Sequence, residues 1–201
     1  MNKKTAYRRI SLAIFSIAGA AAILNGCAAD LAMQDRKEST VFTLSSPGRT
    51  DNDMLAKPFA GKNPSNANCV GDNISPALSW GRVPAGTRSL AIVMDDQAGR
   101  AGLGVSHWIV YGIDPSISGL AEGEASGSSG RFLTGKNTIG VQGYLGPCPP
   151  KGNAPQHYVF TLIATTLPAN TLQAGLTKVE LLDALKGKTL AAASFVLRFA
   201  H

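Results

Sequence analysis

Apolar residues along the chain fall into a few runs separated by turn-forming residues. Ser89 to Asp95 (SLAIVMD) reads as a β-strand. Val105 to Ile113 (VSHWIVYGI) reads as another, continuous enough to be buried on both faces. Gln156 to Thr165 (QHYVFTLIAT) predicts a third and Leu190 to Phe199 (LAAASFVLRF) a fourth. Thr40 to Leu44 alternates roughly and opens the folded part. Ser46-Pro47-Gly48, Pro84-Ala85-Gly86, Asp114-Pro115 and Leu167-Pro168 mark turns, and residues 121–130 form a Gly/Ser-rich loop. One helix is predicted over 177–186. Thr177 and Glu180 make a capping box, Leu181, Leu182, Ala184 and Leu185 supply apolar positions, and Gly187 stops it. Many strands and one late helix predict a mainly β, antiparallel fold with peripheral helices.

The first 26 residues follow another pattern. A basic start precedes an apolar run from Ile10 to Leu24. That run is shorter than the ~20 residues of a bilayer span, as in an export signal. Its end, Leu24-Asn25-Gly26-Cys27, resembles the bacterial lipobox, in which the Cys thiol accepts diacylglycerol and the chain is cut just before it. The alternative is an uncleaved signal anchor. The expected organisation is a signal peptide over 1–26, lipidated Cys27 with a polar tether over 27–39, and a folded domain over 40–201. With Ala28 rather than Asp after the Cys, the resemblance implies an outer-membrane lipoprotein facing the periplasm in a Gram-negative cell.

This segment also accounts for most of the charge. The chain of 201 residues carries 19 Lys and Arg against 13 Asp and Glu, net +6. Lys3, Lys4, Arg8 and Arg9 all lie in the first 26 residues, and without them the remainder is only +2. No basic cluster remains to suggest a nucleic-acid partner. Export permits disulfides. With Cys27 lipidated, Cys69 and Cys148 are left either as a bridge or as two buried thiols. A bridge would close about 80 residues, worth roughly 4 kcal/mol in the chain-entropy model.

Candidate chemistry is sparse. His107 lies in an apolar strand beside Trp108, either as a satisfied core residue or as a pocket group. Alternation sends Ser106 to the opposite face, so the two are not a dyad. It also places Gln156 and Tyr158 on one face and His157 on the other. His201, the last residue, is expected to fray. Three prolines within Gly143–Gly152 make a rigid loop that braces or lines something. No nucleophile elbow, phosphate loop or HExxH appears, so catalysis ranks behind binding. No metal or other cofactor is expected.

Four stretches together resemble the phosphatidylethanolamine-binding protein family, in its bacterial Raf-kinase-inhibitor-like branch. They are Cys69–Trp80, the strand ending in Asp95 with Ser106-His107-Trp108, Gly135–Gly152, and His157–Phe160. The resemblance implies a β-sandwich of a large and a small sheet, with helices near the C-terminus and a small anion pocket at one end. Carried over by motif, the pocket residues are Asp95, Gln97, His107, Gly146, Pro150, Gln156 and Tyr158. Asp95-Asp96-Gln97-Ala98-Gly99 stands where the family has Asp-Pro-Asp-Ala-Pro, so Gln97 replaces the second acid. Asp96 is read as pointing away from the pocket. Gln156 replaces a second imidazole. The implied partner is a small anion or phospholipid head group, held more weakly than is usual in the family. The alternative is modulation of an envelope protein, as kinase- or protease-inhibiting relatives do.

Overall fold

The computed structural model describes residues 41–126 and 129–201. The expected signal peptide, Cys27 and the expected tether lie outside the described residues. Val41–His201 form one compact unit.

The four long apolar runs are the long strands. They are β4 (Ser89–Asp96), β5 (Val105–Ile113), β8 (Gln156–Thr165) and β9 (Thr189–Phe199). Five shorter strands accompany them: β1 (Thr43–Ser45), β2 (Asp53–Met54), β3 (Leu78–Gly81), β6 (Gly119–Leu120) and β7 (Leu133–Thr134). They assemble into a six-stranded sheet, β2-β9-β8-β4-β5-β7, and a three-stranded sheet, β1-β3-β6. All pairings are antiparallel except β2 with β9.

Alternation divides each central strand between two cores. Leu90, Ile92 and Met94 of β4 join Trp108, Tyr158, Phe160 and Leu197 against Leu44, Leu78 and Trp80 of the small sheet. Ala91 and Val93 point the other way and meet Ile109, Tyr111, Ile163, Leu181 and Leu185. The last two come from helix α1 (Lys178–Leu185), which covers the outer face. Each such buried leucine stabilises by roughly 1.5–3 kcal/mol. Both halves of the Thr177–Glu180 capping box are made.

Among the described residues α1 is the only regular helix near the C-terminus. Three shorter helical turns, Lys57–Phe59, Gly99–Gly102 and Glu124–Ser126, lie earlier in the chain. The expectation that His201 frays meets one contact, its exposed ring placing Nε2 2.9 Å from the carbonyl oxygen of Pro149.

Cys69 and Cys148 form a disulfide across 79 residues. It fastens the proline loop to the segment before β3. Gly61 N–H donates to the Pro147 carbonyl, 2.9 Å, beside the same crosslink. A Cβ on Gly146 would collide with the Phe59–Gly61 backbone, so that position needs glycine for the close approach. Reduction, or Cys148→Ser, is expected to lower unfolding free energy by roughly 2–4 kcal/mol. Denaturant titrations with and without reductant check this; coincident midpoints would show that the bond contributes nothing.

Candidate functional site

The end of the large sheet where β4 runs into β5 carries a cavity on each side. The sorting of side chains between them follows from the pairing register. Asp95 is opposite Val159 and Asp96 opposite Tyr158 on β8, so Asp96 and Tyr158 share the inner face. On the other side Met94 pairs with Trp108, yet Asp95 pairs with Ser106. One residue of β5 is therefore extra, a β-bulge at His107. The bulge turns His107 inward with Trp108 and leaves Ser106 on the outer face.

The inner cavity holds about 290 Å³. Asp96, His107, Gln156 and Tyr158 supply its polar strand groups, Gly146 and Pro150 lie in one wall, and Asn66, Arg100, Val105 and Ile139 are among the other lining residues. Five residues carried over by motif thus meet: His107, Gly146, Pro150, Gln156 and Tyr158. Asp95 and Gln97 do not join them. Both line the outer cavity, and Asp96 takes the place expected of Asp95. Alternation relates Asp95 to Gln97 as expected; the error lay in which acid faces the imidazole.

Asp96 is 2% exposed, and one carboxylate oxygen accepts the Ala98 N–H at 2.9 Å. Next, Gly99–Gly102 is a tight turn in which Arg100 and Ala101 have φ of 53° and 58°. Left-handed backbone at non-glycine residues costs roughly 1–2 kcal/mol each. The strained turn sets Arg100 on the rim of both cavities.

His107 is fixed by two reciprocal contacts with the proline loop. Its Nδ1 lies 2.9 Å from the Leu145 carbonyl, and Leu145 N–H donates to the His107 carbonyl at 3.1 Å. A carbonyl only accepts, so Nδ1 carries the proton and Nε2 of the neutral ring is an acceptor. Burial holds the His107 pKa below its ordinary value, against the opposing Leu145 hydrogen bond and the charges of Asp96 and Asp95. The ring packs edge-on to Tyr158, centroids 5.1 Å apart. Burial pushes the Tyr158 hydroxyl far above its usual pKa, so it remains a donor, with Gln156 Oε1 at 3.4 Å.

Asn73 sets the loop from behind. Its amide oxygen accepts Gly146 N–H at 2.8 Å and its amide nitrogen donates to the Tyr144 carbonyl at 2.9 Å. Tyr144 OH in turn donates to the Phe59 carbonyl at 3.1 Å. His157 is exposed on the opposite face, as alternation predicts.

On the outer side a cavity of about 390 Å³ is lined by Asp95, Gln97, Ser106, Lys136, Thr177 and Lys178, among others. Asp95 accepts from Ser106 Oγ at 2.6 Å and from Lys178 Nζ at 2.7 Å. These bonds tie the end of β4 to the start of α1. A Ser hydroxyl donating to a carboxylate is not thereby a nucleophile facing a substrate.

A sequence profile described as phosphatidylethanolamine-binding protein matches residues 45–200, nearly all of the described domain. The chain belongs to that family. Relatives in the phosphatidylethanolamine-binding protein family extend across wide distances. A UPF0098 protein of Methanothermobacter thermautotrophicus is 36% identical over 138 residues, 68% of this chain and 89% of that protein. The Mycobacterium tuberculosis protein named "Putative lipoprotein LppC" is 39% identical over 131 residues, 63% of this chain and 59% of its own length. Among solved structures, a phosphatidylethanolamine-binding protein homologue from Chlamydia trachomatis superposes with TM-score 0.69 at 30% identity, covering 81% of this chain and 99% of that one. Escherichia coli YbcL superposes with TM-score 0.71 at 26% identity, covering 80% and 98%. The large and small sheets described above are thus the family fold.

The lowered His107 pKa makes stability depend on pH with a definite sign. In the unfolded chain the ring gains its proton near 6.5; in the folded protein it does so only at lower pH. Below pH 6.5 the unfolded state therefore binds more protons. Stability from this group is full above that value and is lost as pH falls toward the lowered folded value. Denaturant titrations between pH 7.5 and 5 are expected to show this loss in the wild type and not in His107→Gln. Equal slopes would assign the pH dependence elsewhere.

Proposed function

We propose that this family member is an exported lipoprotein, anchored through lipid on Cys27, whose inner cavity takes the head group of a phospholipid or a similar small phosphate ester. The observation that supports the ligand class is the pairing of one acid, Asp96, with one cation, Arg100, on the lining of a single cavity. His107 is neutral there at pH 7, so the two charges cancel. A zwitterion carrying an ammonium and a phosphate satisfies both: the ammonium at Asp96, the phosphate at Arg100. Tyr158 OH and the Gln156 amide add neutral donors. His107 Nε2 accepts from an ammonium or a protonated phosphate oxygen.

The motif at Leu24–Cys27 supports the lipid anchor, and the name of the mycobacterial relative points the same way. Mass spectrometry of the intact protein from membranes is expected to find diacylglycerol on Cys27 and no residue before it.

NMR titration of the His107 ring with phosphoethanolamine tests the site. Saturable shifts are expected. A charge-assisted contact is worth roughly 1.5–3 kcal/mol, so Asp96→Asn should weaken phosphoethanolamine roughly 10- to 100-fold while leaving inorganic phosphate no weaker. Arg100→Ala should weaken both. Asp95→Asn should weaken neither. If Asp95→Asn abolishes the shifts and Asp96→Asn does not, the outer cavity is the site and this assignment fails.

A further inference from the structure

The disulfide joins two segments that both face the inner cavity. Cys148 is itself among the lining residues, with Pro149 and Pro150 after it. On the other side Cys69 ends a loop whose Asn66 also lines the cavity. Neither cysteine lies in a strand, and both are partly exposed. The bond therefore lies near solvent, outside both cores.

The loop that carries Cys69 is closed at its base. Lys62 and Val70 form an isolated bridge, and Gly71 N–H donates to the Gly61 carbonyl at 3.0 Å. Residues 62–67 are all exposed, so no buried side chain pins this stretch. Its inner hydrogen bonds are its own. Asn63 Oδ1 accepts Ser65 N–H and Asn66 Oδ1 accepts Asn68 N–H, each at 3.0 Å. Among the described residues, one hydrogen bond leads from residues 63–69 to another segment, Lys151 N–H to Asn68 Oδ1 at 3.3 Å. The disulfide is the other tie.

The wall opposite is held differently. His107, Asn73 and the Gly61 N–H engage Leu145, Gly146 and Pro147. None of these contacts passes through sulfur. Opening the S–S bond therefore leaves the wall seated and the loop free to part from it.

Asn66 gives the loop a task at the cavity. Its amide oxygen is committed to Asn68 N–H, so the NH2 group is the donor it offers there.

We propose that Cys69–Cys148 is a redox latch on the inner cavity: oxidised, it holds Asn66 at the lining; reduced, it releases loop 62–70 and loosens the ligand. A dithiol reductant drives the opening. Its thiolate attacks one sulfur, a mixed disulfide forms, and its second thiol displaces the protein. Two electrons and two protons pass to Cys69 and Cys148, which become thiols, while the reductant becomes a disulfide. The latch rests on the head-group reading and adds control to that same site.

Phosphoethanolamine titrations of the full-length chain with and without dithiothreitol, alongside hydrogen exchange, test this. Reduction should weaken phosphoethanolamine about fivefold, the size of one neutral hydrogen bond. Exchange in residues 62–69 should speed at least tenfold, while the Leu145 and Gly146 amides stay protected. Cys69→Ser/Cys148→Ser should match the reduced protein and ignore dithiothreitol. Asn66→Ala should weaken binding about fivefold in the oxidised protein and leave the reduced one unchanged. Binding of equal strength in both redox states overturns the latch, as does a loop whose exchange ignores reduction. So does loss of protection at Gly146 together with the loop, since the bond is then a staple of the whole wall. If neither state binds phosphoethanolamine yet the loop alone responds to reduction, the head-group reading fails and the loop latch stands.

Discussion

The geometry of the inner cavity depends on one extra residue in β5. Without the bulge, strict alternation from an inward Trp108 would send His107 to the outer face and Ser106 inward, and keeping His107 inward would displace Trp108 from the core. With it, an imidazole and an indole both enter the space between the sheets, and the imidazole comes beside Asp96 and Tyr158. The imidazole's place in the cavity is set by that shift in register, and those of Asp96 and Tyr158 by the regular pairing of β4 with β8. Bulges cluster where a strand must re-aim one side chain without ending its pairing.

A wall brought from far along the chain then closes the cavity. The proline loop is held by the disulfide to Cys69, by Asn73 through two amide contacts, by the Tyr144 hydroxyl on Phe59, and by the His107–Leu145 pair. These anchors belong to different segments, so the wall is positioned by tertiary structure and has little freedom of its own. Prolines limit its backbone further. This arrangement immobilises the imidazole, its Nδ1 proton committed to a carbonyl of the wall, while burial, against that bond, keeps the ring neutral.

The long strands and the helix were legible in the sequence because burial on one or both faces leaves a pattern over eight or more residues. Strands of two to four residues leave none; β2, β6 and β7 exist through their partners. The Thr177 capping box is local chemistry, and it was readable for that reason. The acid was misassigned by one position because the choice between Asp95 and Asp96 depends on pairing with β8, which composition and motif order do not encode. Arg100 went unnoticed since its place follows from a strained turn in a stretch where the family motif is altered. The bridge between Cys69 and Cys148 stayed open at first because spacing alone is equally compatible with free thiols. Asn73 stood within a recognised motif, but its task emerges only when the loop it carries is seen.

In the proposed site the opposite charges of Asp96 and Arg100 also shape how a ligand arrives. A site with a net charge broadcasts a monopole field that steers molecules from a distance. Here the two charges form a dipole, whose field fades faster and is cut off within roughly 10 Å at ordinary ionic strength. The cavity therefore exerts little pull on ions in bulk solution. It acts as an orienting socket, sorting molecules already at its mouth by the direction of their own dipoles.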